Sequence, residues 1–173
     1  MLVALVSGKE KKSDHDLAEL HALAVSAGLK PVAQFVFRRA REHPALFIGA
    51  GQADEIARAR DDNQAELVIF DNEIGPVQQR NLNQRWNADG LDRTDLILEI
   101  FSARAQSSEG KLQVELAQLE HLSARLVRGW THLERQRGGI CGRGGPGEKQ
   151  VELDRRILAS RVKRLRKDLE KLR

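Results

Sequence analysis

"ELVIFDNEIGPVQQRNLNQRW", residues 66–86, passes from one periodicity to another within a single stretch. Leu67, Val68, Ile69 and Phe70 form a run without a polar break, the pattern of a strand buried on both faces. Pro76 then fits the first turn of a helix, where its missing N–H leaves no hydrogen bond unmade. The same alternation continues outward from this stretch. "LVALVS" (2–7), "PVAQFVF" (31–37) and "ALFIG" (45–49) read as further buried strands. "DHDLAELHALAVSAG" (14–28) and "QADEIARARDD" (52–62) read as helices. The first has Leu17, Leu20, Leu23, Ala24 and Ala27 at helical spacing, Ser13 or Asp14 as N-cap and Gly28 as stop. A short strand near Gly90 to Arg93 leads into "TDLILEIFSARA". Alternation of this kind predicts an α/β domain over residues 1–107, with a small, mainly parallel sheet flanked by helices.

From Lys111 the period changes. Leu112, Leu116, Leu119, Leu122 or Ser123, Leu126, Trp130 and Leu133 follow 3 and 4 spacing, and so do Val151, Leu158, Val162, Leu165, Leu169 and Leu172. Two such stripes joined by a Gly-rich stretch predict an antiparallel α-helical hairpin, a coiled coil, over residues 108–173, with its tip at 138–147. A first helix of about 25 residues would project roughly 40 Å. The alternative is that both stripes pack back onto the sheet as ordinary helices.

Charge is unevenly distributed. Residues 1–124 hold 14 Lys/Arg against 19 Asp/Glu, whereas residues 125–173 hold 15 against 6. The last segment, at +9, is where an anionic partner would bind. One cysteine, Cys141, cannot make an internal disulfide, which fits a reducing, cytoplasmic setting. The apolar start "MLVALVS" is far too short for a signal peptide or a membrane span.

"RQRGGICGRGGPGEKQ" (135–150) holds six of the fourteen glycines. It is not a phosphate loop: counting from Gly142 to Gly147, Glu148 stands where the phosphate-binding lysine belongs. Arg125, Arg128, Arg135, Arg137 and Arg143 gather towards the tip, with Lys149, Arg155 and Arg156 on the return helix and Trp130 and His132 interleaved. Arginines contact phosphate and stack on bases, and glycines let a backbone approach closely. The candidate RNA-binding residues are therefore Arg128, Arg135, Arg137, Gly138, Gly139, Arg143, Gly144, Lys149, Arg155 and Arg156; the plain alternative is a solvated charged face. Elsewhere, "FIGAGQADEI" (47–56) offers a possible phosphate-binding turn at Gly49, Gly51 and Gln52, although Asp54 would oppose an anion and a packing turn is the better reading. Asp71, at a strand's C-terminal end, sits where parallel sheets place ligand-binding groups. The five histidines lack metal-ligand spacing, and no catalytic set stands out, so the chain is not expected to act as an enzyme by itself.

"IGAGQADEI" (48–56), "FDNEIGPVQQRNL" (70–82), "LDRTDLILEIFSARAQSSEGKLQVELAQLEHLSARLVRGWTHLERQ" (91–136), "GGI" (138–140) and "GPGEKQVELDRR" (145–156), in that order, resemble the N-terminal region of the HflX-type ribosome-associated GTPases. The resemblance implies an α/β domain, a helical hairpin and then a P-loop GTPase domain, which this chain lacks. GTP and Mg would belong to that further domain, with no cofactor in this chain. It also implies binding to the large ribosomal subunit and its rRNA, with the tip near the peptidyl transferase centre, and a role in splitting or rescuing stalled ribosomes under stress. No membrane partner is expected, and the chain is expected to be a monomer. The tip departs from the family pattern GGIG-x-RGPGETQLE: Cys141 and Gly142 follow "GGI", one residue is added, and Lys149 replaces threonine. Gly75 replaces a serine, and Asp95 a glycine. The other reading is a nucleotide- or small-ligand-binding α/β module with an oligomerising coiled coil.

Overall fold

The computed structural model describes residues 1–7, 17–136 and 146–172, and the side chains within them except at 7, 126–136, 146–152, 154 and 172. Two compact units emerge, Met1–Ile100 and Phe101–Arg173.

In the first unit, four strands form one parallel sheet in the order β2-β1-β3-β4, comprising β1 (Leu2–Ser7), β2 (Gln34–Arg39), β3 (Leu67–Phe70) and β4 (Asp89–Asp92). β1 is central, and the unbroken apolar run Leu2–Val6 follows from burial on both faces. Met1, Val3 and Leu5 join Val68 and Phe70 in a core under α2 (Ala50–Asp62) and α3 (Pro76–Trp86). Leu2, Ala4 and Ile69 face the other way, towards α1 (Ala18–Ser26) and α4 (Arg93–Arg104). Phe70 stacks on Trp86 and meets Phe47 edge-on, while the Trp86 indole donates to the Ala53 carbonyl at 2.9 Å. The Met1 amine donates to the Leu67 carbonyl, and burial holds its pKa below the ordinary α-amino value.

The central junction is short. β1 and β3 share only the register pairs Leu2↔Ile69 and Val3↔Phe70. Beyond them, the Asn72 side chain takes over: its Oδ1 accepts from Leu5 N–H at 2.7 Å and its Nδ2 donates to the Leu5 carbonyl at 3.0 Å. A carboxamide thus stands in for one residue of a strand.

Several sequence expectations are corrected. "ALFIG" is not a strand. His43 and Phe47 exchange both backbone hydrogen bonds across a tight loop, and Phe47 has φ 62°, which a bulky side chain tolerates only when packing compels it. The run is apolar because Phe47 and Ile48 are core residues, not because it is extended. His43 is correspondingly structural: its Nδ1 accepts from the Ala45 and Leu46 amides, and α3 fastens the loop through Gln78 and Asn81. β2 starts three residues later than expected and runs to Arg39, because an edge strand accommodates polar side chains. Gly28 ends α1 with φ 79°, as its placement predicted, while the proposed caps Ser13 and Asp14 lie outside the described residues.

In the second unit, α5 (Ser108–Gln136) and α6 (Pro146–Leu172) are 29 and 27 residues long, about 40 Å each, and pack against one another. Pro146 and Gly147, assigned to the tip by composition, belong to the first turn of α6, because proline's fixed φ suits the first helical position. Among the described residues no helix is long and apolar enough to cross a membrane.

Replacing Asn72 with Ala removes two bonds at the narrowest junction of the sheet. We expect a loss of about 1–3 kcal/mol in urea unfolding; an unchanged midpoint would show that the junction does not need the carboxamide.

Candidate nucleic-acid interface

The basic residues of the second unit divide by what already holds them. Arg161 reaches Glu115 and Arg166 reaches Glu120, each at 2.6 Å from α6 to α5. Glu115 and Glu120, five residues apart, project from opposite sides of α5, so the two ion pairs clasp the seam from both sides. Pairs this exposed contribute about 0–1 kcal/mol each; their larger effect is to commit two arginines to register. Leu165 is buried between such contacts, at 7% exposure. Arg125, grouped with the basic surface on composition, is also buried and does not face solvent.

Other described cations of α6 point outward. Arg155 and Arg156 are exposed on α6, as are Lys163 and Lys167. Arg156 and Lys163 are seven residues apart and share one side of α6, a step of about 10 Å; Lys149 stands seven residues before Arg156, where the backbone is helical. Lys163 and Lys167 were missed from sequence, although the sevenfold spacing from Lys149 points to the first of them. Arg128 and Arg135 are likewise seven apart on α5, where their backbone is helical. Arg137, Gly138, Gly139, Arg143 and Gly144 lie outside the described residues, as does Cys141.

In the first unit, the Gly49–Gln52 segment forms the start of α2. Gly49 is the N-cap, with its N–H donating to Gln52 Oε1 at 2.7 Å. That carboxamide oxygen occupies the position from which an anion would accept the same hydrogen. A Cβ at Gly49 would lie 2.5 Å from Arg39 Nη1, so the glycine admits the arginine; at Gly51 a Cβ would meet nothing within 4 Å. Asp54 is engaged by Arg85 through two bonds, at 2.6 and 3.0 Å. Gly75 and Gln78 repeat this half-cap at the start of α3, with the glycine N–H donating to the glutamine at 2.9 Å.

Asp71, at the C-terminal end of β3, accepts from Arg93 Nη1 at 3.2 Å, and Arg93 also pairs with Glu19. Asp92 is fully buried and caps α4 by accepting from the Asp95 amide at 2.9 Å. These acids are structural anchors in the first unit, each engaged by an arginine or a backbone amide.

Residues 14–102 match the family described as GTP-binding GTPase N-terminal, and residues 104–173 the one described as GTP-binding GTPase Middle Region. GTPase HflX of Escherichia coli (strain K12) is 49% identical over 163 residues, covering 94% of this chain and 38% of that protein. GTPase HflX of Magnetococcus marinus is 47% identical over 156 residues, covering 90% and 36%. A GTP-binding protein from the hyperthermophilic archaeon Sulfolobus solfataricus, solved in complex with GDP, shares the fold with a TM-score of 0.61 at 20% identity, over 99% of this chain and 45% of that one. The chain therefore spans under two-fifths of the length of these curated relatives.

With open space around Gly51, Gly51→Ala should raise stability by about 0.5–1 kcal/mol in thermal unfolding. A lower melting temperature would reveal a close approach at that turn which the packing does not require.

Proposed function

The chain belongs to the HflX-type GTPase family, of which it carries the N-terminal and middle regions, and from that premise we propose that it is a ribosome-binding region directed at the large subunit. The observation that carries this reading is charge segregation. Residues 125–173, at +9, lie in or beside two long helices, and Arg155, Arg156, Lys163 and Lys167 of α6 are exposed to solvent. A row of such cations at the pitch of Lys149, Arg156 and Lys163 suits the repeated charge of a nucleic-acid backbone, where each contact releases counterions. The glycines between Arg137 and Gly145 would let the backbone come close to folded RNA, and the neighbouring arginines would stack on bases or grip phosphates.

In this reading α5 and α6 form an antiparallel coiled coil, an arm that carries the Gly-rich tip towards the peptidyl transferase centre. Arg128, Arg135, Arg137, Gly138, Gly139, Arg143, Gly144, Lys149, Arg155 and Arg156 form the rRNA-contacting set, to which Lys163 is added. GTP and Mg act in a GTPase domain that lies beyond this chain in the longer relatives; no G-x-x-x-x-G-K-[ST] loop occurs between Met1 and Arg173. The full-length protein would couple GTP binding to splitting or rescue of stalled ribosomes in the cytoplasm.

Co-sedimentation with purified large and small subunits across a salt series tests the proposal. Binding should be selective for the large subunit, and the double substitution Arg137→Gln and Arg143→Gln should reduce the slope of log affinity against log salt by about 2. Equal binding to both subunits, or an unchanged slope in the variant, would refute recognition by the tip.

A further inference from the structure

Three large aliphatic side chains of the second unit face solvent: Leu122 on α5 at 47% exposure, and Leu153 and Ile157 on α6 at 50% and 56%. Helical periodicity places them on one side of the helix pair. Leu122 follows Glu115 by seven residues and shares its side of α5; Ile157 precedes Arg161 by four and shares its side of α6, with Leu153 one turn earlier. Glu115 and Arg161 are bonded to each other across the seam, so the two sides adjoin. The same ion pair lines a groove completed by Ser160, Arg164, Leu165 and Asp168. Arg164 is 84% exposed and meets Asp168 at 3.9 Å.

We propose that this side of the helix pair docks an acidic amphipathic helix of a second protein. Its apolar stripe would cover Leu122, Leu153 and Ile157, and its carboxylates would meet Arg164. Two observations select this occupant. The exposed row is aliphatic, with nothing to stack on a base, whereas recognition of unpaired nucleic acid relies on aromatic and guanidinium planes. Leu153 and Ile157 at i, i+4 are instead the spacing by which one helix anchors another. The +9 balance of residues 125–173 would repel a second copy and draw in an acidic partner. This surface is distinct from the glycine tip and does not depend on its contacts with RNA.

Two synthetic amphipathic helices with the same Leu stripe, one bearing Glu and the other Lys on the polar face, provide the probes for fluorescence anisotropy with the whole chain. The Glu peptide should bind at least about tenfold more tightly than the Lys peptide, and Ile157→Glu should weaken it by about tenfold. Circular dichroism and melting of that variant should match the parent, and Leu122→Ser serves as a milder second variant. Equal binding of the two peptides, or no effect of either substitution, would overturn the proposal. So would an Ile157-dependent dimer in sedimentation velocity, which would make a second copy the occupant. Loss of ribosomal RNA binding in Ile157→Ser as large as that in Arg137→Gln would also overturn it, by assigning the face to RNA. Retained large-subunit binding in Ile157→Glu, with the Glu peptide lost, separates this result from the ribosome reading.

Discussion

The sheet is held at its centre by a junction two residues long. β1 needs a partner on each side to satisfy its backbone, yet β3 ends at Phe70, just after the pairs Leu2↔Ile69 and Val3↔Phe70. The Asn72 carboxamide supplies the missing donor and acceptor at Leu5. Without it, the N–H and C=O of Leu5 would lose their partner in the middle of the sheet, at a cost of about 1–3 kcal/mol in all. Both cores depend on this alignment, since alternate residues of β1 feed opposite faces and a slip of one residue would exchange them. The same side chain bridges the gap between β1 and β3 where the strand connections diverge, the place at which open parallel sheets commonly hold a ligand.

Polar chemistry in the first unit is thus largely turned inward. Gln52 and Gln78 cap their own helices, Asp54 and Asp71 receive arginines, and Asp92 starts α4. The second unit is organised differently. It spends Arg161 and Arg166 on register and leaves Arg155, Arg156, Lys163 and Lys167 facing water. A fold that anchors its acids and exposes its cations in one long element is suited to binding an extended anion, and an RNA backbone is such a ligand.

Much of this was readable from the residues. "LVALVS" and "LVIF" read as buried strands, their alternation with helices pointed to a parallel sheet, and Pro76 and Gly28 marked helix ends by fixed chemistry. "ALFIG" misled because burial and extension give the same apolar run; only the turn at His43 to Phe47, held by Gln78 and Asn81 more than thirty residues away, distinguishes them. The Gly-x-x-Gln spacing at 49–52 and 75–78 is a capping signal, in which the glutamine accepts the hydrogen that a phosphate would take. For the candidate interface, composition located the basic segment, but it could not tell which arginines join α6 to α5. That distinction depends on Glu115 and Glu120, each 46 residues from its partner. Arg125 shows the same limit, counted as surface charge and found buried.

The central claim is that recognition resides in the basic helices and their glycine link. Hydrogen–deuterium exchange of the whole chain, alone and bound to purified large ribosomal subunits, tests it most directly. The account predicts new protection concentrated between residues 128 and 156, with the sheet strands unchanged. Protection confined to residues 1–100, with none in the Gly-rich segment, would contradict it.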